Sequence, residues 1–426
     1  MARIVLFLLQ FRSQFRMQKK VPLATNQIYF RTLQRVPIIP TQLMTYAAAV
    51  ISVVLWAVLL TGRGSFWRCR ITDGAQPTRP AKWPSVAVVV PARNEAEVIR
   101  ESLRSLLAQD YRGRLSLIVV DDNSSDGTAA LAREAARGQV RERDLSIISG
   151  APLPSGWTGK LWAVRQGVAT AEANVTPDYL LLTDADITHA PDTVSWLIAQ
   201  AISGDFVLTS LMAKLRCVSL AERSLVPAFI YFFQMVFPFA WVARPNHATA
   251  AAAGGCVLVR SDALRLSGGM DGIRDALIDD CALAQQLKSV GPIWLGLTER
   301  VRSLRPYPRF ADIKAMVSRS AYAQLGYSPW LLAGTCLGML LTFLVPPLLA
   351  VFASGVPRLA GVVVWIAMAI SFQPTLQLYR VSPLWGIALP GIALLYTYYT
   401  LHSAYQYLRK RGGAWKGRVY AGAAGL

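Results

Sequence analysis

The chain has 426 residues, of which 53% are hydrophobic and 16% are charged, and it carries a formal net charge of +19 at pH 7. Its mean hydropathy is +0.35, and the apolar excess lies at the two ends, which favours one α/β domain with membrane segments over two soluble domains. The basic residues crowd beside apolar segments, as within 63–70 and 409–411. We therefore expect anionic lipid, and no nucleic acid, as a partner.

The N-terminal part predicts a membrane anchor. Residues 1–42 are a basic arm with little pattern, and the apolar stretch over 43–62 predicts a membrane-spanning helix. Basic residues follow this stretch, so we expect the next region on the cytoplasmic side. The apolar run Ile4–Leu9 is short and no small-residue cleavage motif follows it, so no signal peptide is predicted. Five scattered cysteines without a Cys-x-x-Cys pair predict free thiols in a reducing compartment.

The region 84–322 alternates strand-like and helix-like segments and predicts one α/β domain. In chain order the segments are a strand Val86–Val90, a helix near 98–107, a strand Leu115–Val120, a helix from Thr128, a strand Leu145–Ile148, a helix from Lys160 and a strand Tyr179–Thr183. This order indicates a mostly parallel sheet with helices on both faces. Ligands of such sheets bind beyond the carboxyl ends of the strands, so we look for functional residues there.

Further apolar segments follow inside and after this domain. Residues 224–242 are apolar but contain Pro227 and Pro238, and a spanning helix there would split the domain, so we expect a helix in the membrane interface. About three membrane segments are predicted within 328–408, near 330–353, 359–379 and 384–406. One segment before the domain and three after it would place the basic tail, 409–426, on the side opposite the domain, against the positive-inside tendency. The sequence leaves this topology open.

Carboxylates follow three of the predicted strands. They occur in Pro91-Ala92-Arg93-Asn94-Glu95, in the segment 120–128 with Asp121 and Asp122, and in Asp184-Ala185-Asp186. A cluster of negative charge favours a metal ion as its partner, and Asp-x-Asp at a strand end suits Mg²⁺ or Mn²⁺ with substrate phosphate oxygens. The alternatives are a helix N-cap for Asp186 and turn formation for Asp121 and Asp122.

The order of the motifs resembles glycosyltransferase family 2, the inverting sugar transferases with a GT-A fold. The motifs are PARNE, VVDDNSSDGT, GWTGKLWAV, LLTDAD, GGCVLV and IDDCALAQQL, and they cover roughly residues 85–300. The third and sixth, together with RSAYAQLGYSPW, are most similar to the hopanoid-associated glycosyltransferases of bacteria. The resemblance implies a multi-pass protein of the inner membrane with a cytoplasmic catalytic domain, a nucleotide-sugar donor, in particular a UDP-sugar, and a membrane lipid as acceptor.

The resemblance also assigns roles to individual residues. Asp122 would bind the uracil ring, Lys160 the phosphates or ribose, and Asp184 the nucleotide end, while Asp186 would be the main metal ligand. Lys160 has the alternative of a solvated lysine at a helix start. The remaining residues expected to line the nucleotide pocket are Pro91, Ala92, Arg93 and Glu95.

Inverting transfer needs a base for the acceptor hydroxyl. By family position this base is Asp280, with Asp279 in place of the more usual Glu, and adjacent carboxylates raise one pKa. The alternative is an acidic pair favoured by the helix dipole. Gly254, Gly255 and Cys256 would border the acceptor side.

The chain also departs from the family. The Gln-x-x-Arg-Trp motif of processive synthases is absent, which favours transfer of a single sugar, and Arg319 near its expected place either meets the diphosphate or lies at the membrane surface. His189, His247 and His402 are expected to be structural. The functional alternatives are a transferase for polyprenyl phosphate or ceramide, and a non-catalytic nucleotide-sugar-binding membrane scaffold.

Overall fold

The computed structural model describes residues 41–135, 137, 144–409, 414–415 and 418–419. The predicted basic arm over 1–42 and the basic tail over 409–426 lie almost wholly outside these residues. Within them, one α/β domain is attached to a group of apolar helices formed by both ends of the chain.

An eight-stranded mixed sheet forms the centre of the domain, with strand order β3-β2-β1-β4-β7-β6-β8-β5. The four predicted strands are confirmed and form its parallel half. In the other half, β7 is antiparallel to β4 and β6, β5 is antiparallel to β8, and β6 is parallel to β8. The strands are β1 Val86–Ala92, β2 Leu115–Asp121, β3 Asp144–Ser149, β4 Tyr179–Thr183, β5 Ile187–His189, β6 Leu208–Lys214, β7 Cys256–Arg260 and β8 Ile293–Ser303.

The helices of the domain also follow the sequence pattern. The helix predicted from Lys160 begins one residue earlier, at Gly159, because Thr158 caps it by accepting a hydrogen bond from the Leu161 N–H. The next helix along the chain begins at Thr193. The helices are α2 Ile99–Leu107, α3 Thr128–Ala135, α4 Gly159–Asn174, α5 Thr193–Ser203, α8 Ser261–Leu266, α9 Asp279–Lys288 and α10 Phe310–Ser318.

The parallel half of the sheet is buried on both faces. Alternate residues of β1 pack in opposite directions, so that Val88 contacts the cluster containing Leu103 of α2 and Val89 the cluster containing Leu161 of α4. Helix α4 lies very close to the sheet at Gly167, where a Cβ atom would stand 2.4 Å from Cγ1 of Val89. A glycine is therefore needed at this contact.

Four apolar helices are long enough to cross a membrane, judged by length and composition over the described residues. They are Gln42–Thr61, Leu220–Val242, Pro329–Phe352 and Gly355–Tyr379. The first is α1 (Thr41–Thr61); the second comprises α6 (Leu220–Val236) and α7 (Phe239–Val242); the third comprises α11 (Pro329–Met339), a π-helical turn (Leu340–Leu344) and α12 (Val345–Phe352); the fourth is α13 (Gly355–Tyr379). The third predicted C-terminal segment, 384–406, is not among them. Its helix α14 (Leu389–Leu408) contains several tyrosines and His402, which make it less apolar than the other four.

Helix α6, where an interfacial helix is expected, is enclosed by other helices of the protein. Ser219 and Glu222 form a capping box at its N-terminus. Tyr231 donates or accepts a 2.8 Å hydrogen bond with Ser371 of α13, and the Tyr396 hydroxyl of α14 donates to the Leu225 carbonyl. Within the described structure, 61% of the apolar window of this segment is buried. Its apolar character therefore serves contacts inside the protein to a large extent.

The N-terminal helix is joined to the C-terminal helices by one buried hydrogen bond. Pro346 has no N–H to donate to the carbonyl of Thr342, four residues before it. The indole N–H of Trp56 donates to that carbonyl at 2.8 Å, and the Trp56 ring meets Phe343 edge to face. Trp56 of α1 thus satisfies the backbone group that the proline in α12 leaves open.

We expect Trp56→Phe to lower the stability of the protein. The phenyl ring keeps an aromatic side chain at this position, but the buried Thr342 carbonyl loses its hydrogen-bond donor. A loss of about 1–3 kcal/mol follows from the cost of such a group. The measurement is the thermal unfolding midpoint of the detergent-solubilised protein. Trp365→Phe is the matched control, since its indole N–H donates to the Ile387 carbonyl at an exposed position. Equal shifts for the two variants would contradict the role given to Trp56.

Candidate active site

A crevice of about 640 Å³ lies at the carboxyl ends of β1, β4 and β8. It is where ligands of an α/β sheet bind. The structure brings most of the predicted site residues to this crevice or to a small adjoining cavity at its floor. Those lining one or both cavities are Pro91, Glu95, Lys160, Asp184, Asp186, Gly254, Asp279, Asp280 and Arg319.

Lys160 connects two of the carboxylates in this crevice. Its Nζ atom lies 2.8 Å from Oδ1 of Asp184, at the end of β4, and 3.0 Å from Oδ2 of Asp279, the first residue of α9. Burial by itself would lower the pKa of Lys160, but Asp184 and Asp279 together raise it above its ordinary value. Lys160 is therefore a fixed cation, and the alternative of a solvated lysine does not describe its position.

Asp280 lies beside this ion-pair cluster and is held by backbone donors. The N–H of Gly254 donates to its Oδ2 at 2.8 Å, and the N–H of Cys281 donates to its Oδ1 at 2.7 Å. Burial and the neighbouring Asp279 charge raise the pKa of Asp280 to about 6, against the opposing effect of Lys160 and the two N–H groups. A carboxylate with this pKa is ionised at neutral pH and still able to take a proton.

Arg305 is a residue of the crevice that the sequence reasoning missed. It follows β8, and its Nη2 lies 2.8 Å and 3.0 Å from the two carboxylate oxygens of Glu95, while its Nε lies 2.8 Å from Oδ2 of Asp186. Burial opposes its charge, but Asp186 and Glu95 raise the pKa of Arg305 above its ordinary value. The signal that could have identified it is its position just after the apolar strand β8. The sequence analysis did not predict this strand, so Arg305 was overlooked.

The donor set fits a divalent cation of the Mg²⁺ or Mn²⁺ type. Arg305 and Ser303 both contact Oδ2 of Asp186, so its Oδ1 remains as a metal ligand. Lys160 contacts Oδ1 of Asp184, so its Oδ2 remains as a second ligand. Over the part of the chain that the structure describes, no group of three or more His, Cys, Asp or Glu side chains forms a metal site. These metals require one or two carboxylates when substrate phosphates supply further oxygens.

The first two strand ends contribute less to the crevice than expected. Asp122 is 1% exposed and its carboxylate lies 3.5 Å from Nη1 of Arg93, while Ala92 is buried within β1. None of these three residues lines the crevice or its floor. Asp121 accepts a hydrogen bond from the Ser124 N–H, and Asn123 has a φ of 54°, so this segment forms a tight turn.

The three residues expected on the acceptor side have different surroundings. Gly254 contacts Asp280, the Gly255 carbonyl accepts a hydrogen bond from Thr183, and Cys256 is fully buried in β7, where burial raises the pKa of its thiol to about 12. Cys256 is therefore a packing residue. His189 is also buried, bonds to Thr183 and has its pKa lowered to about 3, so it is neutral.

Comparison with protein families finds a match to part of the chain. Residues 87–266 match the family model described as Glycosyl transferase family 2. The matched segment extends from β1 to α8 and includes Lys160, Asp184 and Asp186, while Asp279, Asp280 and Arg305 lie beyond it. This part of the chain is thus similar to a glycosyl transferase family 2 domain.

The relatives are similar over part of their length. An N-acetylglucosaminyltransferase of Rhizobium leguminosarum bv. viciae is 35% identical over 37% of this chain and 36% of its own. An undecaprenyl-phosphate 4-deoxy-4-formamido-L-arabinose transferase of Enterobacter sp. (strain 638) is 27% identical over 28% of this chain and 34% of its own. The chain therefore spans little more than a third of either relative. A mannosyltransferase of Pyrobaculum calidifontis, solved with GDP-Man and Mn²⁺, is 19% identical over 85% of this chain and 99% of its own, with a TM-score of 0.49.

We expect Lys160→Met to destabilise the protein more at pH 8 than at pH 5. Without the ammonium group, Asp184 and Asp279 are two unpaired, half-buried carboxylates at pH 8. The pKa of Asp184 is already raised by burial, so at pH 5 protonation removes part of the repulsion. The measurement is the difference in thermal unfolding midpoint from the unaltered protein at both pH values. Lys214→Met, whose Nζ pairs with the single carboxylate of Glu299, is the control. A pH-independent difference for Lys160→Met would contradict the expectation.

Proposed function

We propose that this chain, with its similarity to glycosyl transferase family 2 over residues 87–266, is an inverting glycosyltransferase that transfers one sugar from a UDP-sugar to a membrane lipid. The observation that carries the proposal is the convergence of three kinds of group on the crevice and on the small cavity at its floor. A carboxylate with a pKa of about 6, a fixed lysine and a pair of carboxylates with open oxygens meet at the carboxyl edge of the sheet.

In this mechanism Asp280 is the base. The acceptor hydroxyl attacks the anomeric carbon from the face opposite the nucleoside diphosphate, and its proton passes to the Asp280 carboxylate. A new carbon–oxygen bond forms to the acceptor while the bond from the anomeric carbon to the diphosphate breaks, and the electron pair leaves with UDP. Gly254 and Cys281 hold the base in place through their N–H groups.

The cations of the crevice meet the charge that develops on the leaving group. Lys160 is close to the base and to Asp184, and Arg305 and Arg319 line the same crevice. Their positive charge stabilises a diphosphate placed among them. A Mg²⁺ or Mn²⁺ ion held by Asp186, with Asp184 beside it, would neutralise the phosphate oxygens when bound.

Several features support a lipid acceptor. The crevice includes Tyr307, Met316 and Arg319 at the side where α10 packs on α14 and α6. Four helices of the described chain are apolar enough to cross a membrane, which supports a multi-pass protein. The basic residues that follow α1 support a domain on the cytoplasmic face. The absence of Gln-x-x-Arg-Trp supports one sugar per lipid, and the motifs GWTGKLWAV, IDDCALAQQL and RSAYAQLGYSPW support a hopanoid-related acceptor.

Polyprenyl phosphate is the second candidate acceptor. It is supported by the similarity to the undecaprenyl-phosphate transferase, which extends over 28% of this chain. An acceptor panel separates the two candidates. Membranes that contain the protein are incubated with radiolabelled UDP-sugars and Mn²⁺, with either a hopanoid alcohol or undecaprenyl phosphate added. The proposal requires that a labelled lipid forms with one of the two added acceptors. It also requires that this lipid is missing when the membranes come from cells without the active protein.

We expect Asp280→Asn to reduce UDP release by at least roughly 10²-fold, because the amide cannot accept the hydroxyl proton. UDP binding, measured by calorimetry, should stay within about twofold because the change leaves the shape of the crevice intact. Asp271→Asn is the matched control, since this exposed carboxylate lies in the preceding loop and pairs with Arg165. Transfer at the original rate in Asp280→Asn would remove Asp280 as the base. UDP binding without turnover in the unaltered protein would favour a non-catalytic scaffold.

We expect Asp186→Asn to weaken Mn²⁺ binding and to abolish transfer at a Mn²⁺ concentration that saturates the unaltered protein. The amide removes the negative charge that the metal requires. Bound Mn²⁺ is measured by electron paramagnetic resonance in the presence of UDP, and transfer is measured before and after chelation. Asp192→Asn, which alters an exposed carboxylate paired with Arg300, should change neither. Unchanged Mn²⁺ binding in Asp186→Asn would exclude Asp186 as the ligand.

A further inference from the structure

A second cavity lies apart from the crevice, at the ends of two candidate membrane spans. It measures about 460 Å³, and none of its lining residues lines the crevice. Thr61, the last residue of α1, borders it, and so do Phe239, Ala240 and Trp241 of α7, near the end of the candidate span Leu220–Val242. The candidate span α1 therefore ends at this cavity, where a headgroup layer would begin.

Helix α6 separates this cavity from the crevice. At the N-terminus of α6, the Glu222 carboxylate accepts a hydrogen bond from the N–H of Tyr307, which lines the crevice. At its C-terminus, Arg63 donates to the carbonyls of Met235 and Val236. A helix of 17 residues is about 25 Å long. The second cavity is therefore distinct from the sugar-transfer site.

The charged residues that line the second cavity are both arginines, Arg70 and Arg244. Over the described part of the chain, neither has a carboxylate within ion-pair distance. The neighbouring Arg63, in contrast, is committed to the end of α6 and to the Trp241 ring, 4.9 Å from its guanidinium. Two uncompensated guanidinium groups at one cavity are suited to a phosphate group.

The walls of the cavity are apolar and aromatic, and one buried amide opens into it. Phe66, Phe239 and Trp241 form the walls, and Trp241 is held in a stack with His247, with 4.6 Å between the ring centroids. Gln234 is 3% exposed and lines the cavity, and its Nε2 donates to the sulfur of Cys69. Its Oε1 is therefore left as an acceptor for a hydroxyl group. Aromatic walls beside cations are typical of the membrane–water interface.

We propose that this cavity binds the headgroup of an anionic membrane phospholipid, with Arg70 and Arg244 on the phosphate. The two arginines attract a net negative headgroup and repel the ammonium of a zwitterionic one, so anionic lipid is preferred over phosphatidylcholine. The apolar walls accommodate the glycerol and the first acyl carbons, which a free phosphate ion does not possess. The bound lipid fixes the end of α1 and the C-terminus of α6 at the membrane surface.

The test uses the full chain in detergent, titrated with phosphatidylglycerol and observed by native mass spectrometry. We expect the double variant Arg70→Gln/Arg244→Gln to bind one phosphatidylglycerol fewer, or to bind it at least roughly tenfold more weakly, because two charge-assisted contacts are lost. Arg104→Gln is the matched control, since Arg104 is an exposed arginine on α2 that lines neither cavity.

Further arms distinguish the sources of the phosphate and the role of the arginines. Phosphatidylcholine should bind without a difference between the two proteins, and inorganic phosphate at the same concentration should not displace phosphatidylglycerol. Arg70→Lys/Arg244→Lys should recover part of the affinity, which a merely structural role would not predict. UDP binding at the crevice should be unaltered in every variant. Equal uptake of phosphatidylglycerol by the unaltered protein and the Gln variant, or its displacement by inorganic phosphate, would overturn the proposal.

Discussion

The ion-pair cluster around Lys160 is the interaction on which the arrangement of the site depends. Its ammonium group connects the start of α4, the end of β4 and the first turn of α9, which are far apart in sequence. Without this cation, Asp184, Asp279 and Asp280 would be neighbouring negative charges in a partly dehydrated crevice, and they would repel one another. With it, Asp184 and Asp279 are paired with a cation, while burial and the neighbouring Asp279 keep the pKa of Asp280 raised to about 6. One lysine thereby organises three carboxylates with different tasks.

The sequence predicted the parallel half of the sheet because its strands are short, β-branched and buried on both faces, a pattern that does not depend on the rest of the chain. The carboxylates after β4 followed from the rule about strand ends, whereas Asp280 at the start of α9 was expected from its family position. The pairing of β5 with β8 was not predictable, since β5 has three residues and its partner lies more than a hundred positions away. Arg305 was missed for the same reason. The resemblance implied that Asp122 binds the uracil ring, and in the structure its carboxylate is buried beside Arg93.

Apolar composition was a weaker guide in the helical part. Residues 220–242 resemble a membrane segment in hydropathy, yet Tyr231 and Leu225 bond to α13 and α14. A helix enclosed by apolar neighbours and a helix enclosed by lipid have the same composition, so sequence alone does not separate them. The specific polar contacts, from Glu222 to Tyr307 and from Trp56 to Thr342, are what identify the neighbours of each helix.

Gly167 has no side chain to take part in a reaction, but it sets the distance between α4 and the sheet. Because a methyl group there would collide with Val89 and Val120, any other side chain would lift α4 from the sheet and carry Lys160 away with it, two turns earlier on the same helix. The position of Lys160 in the crevice therefore depends on this glycine as well as on the lysine itself. An engineer who transplants the charged cluster to another α/β sheet would have to transplant the helix-to-sheet spacing first, and the side chains second.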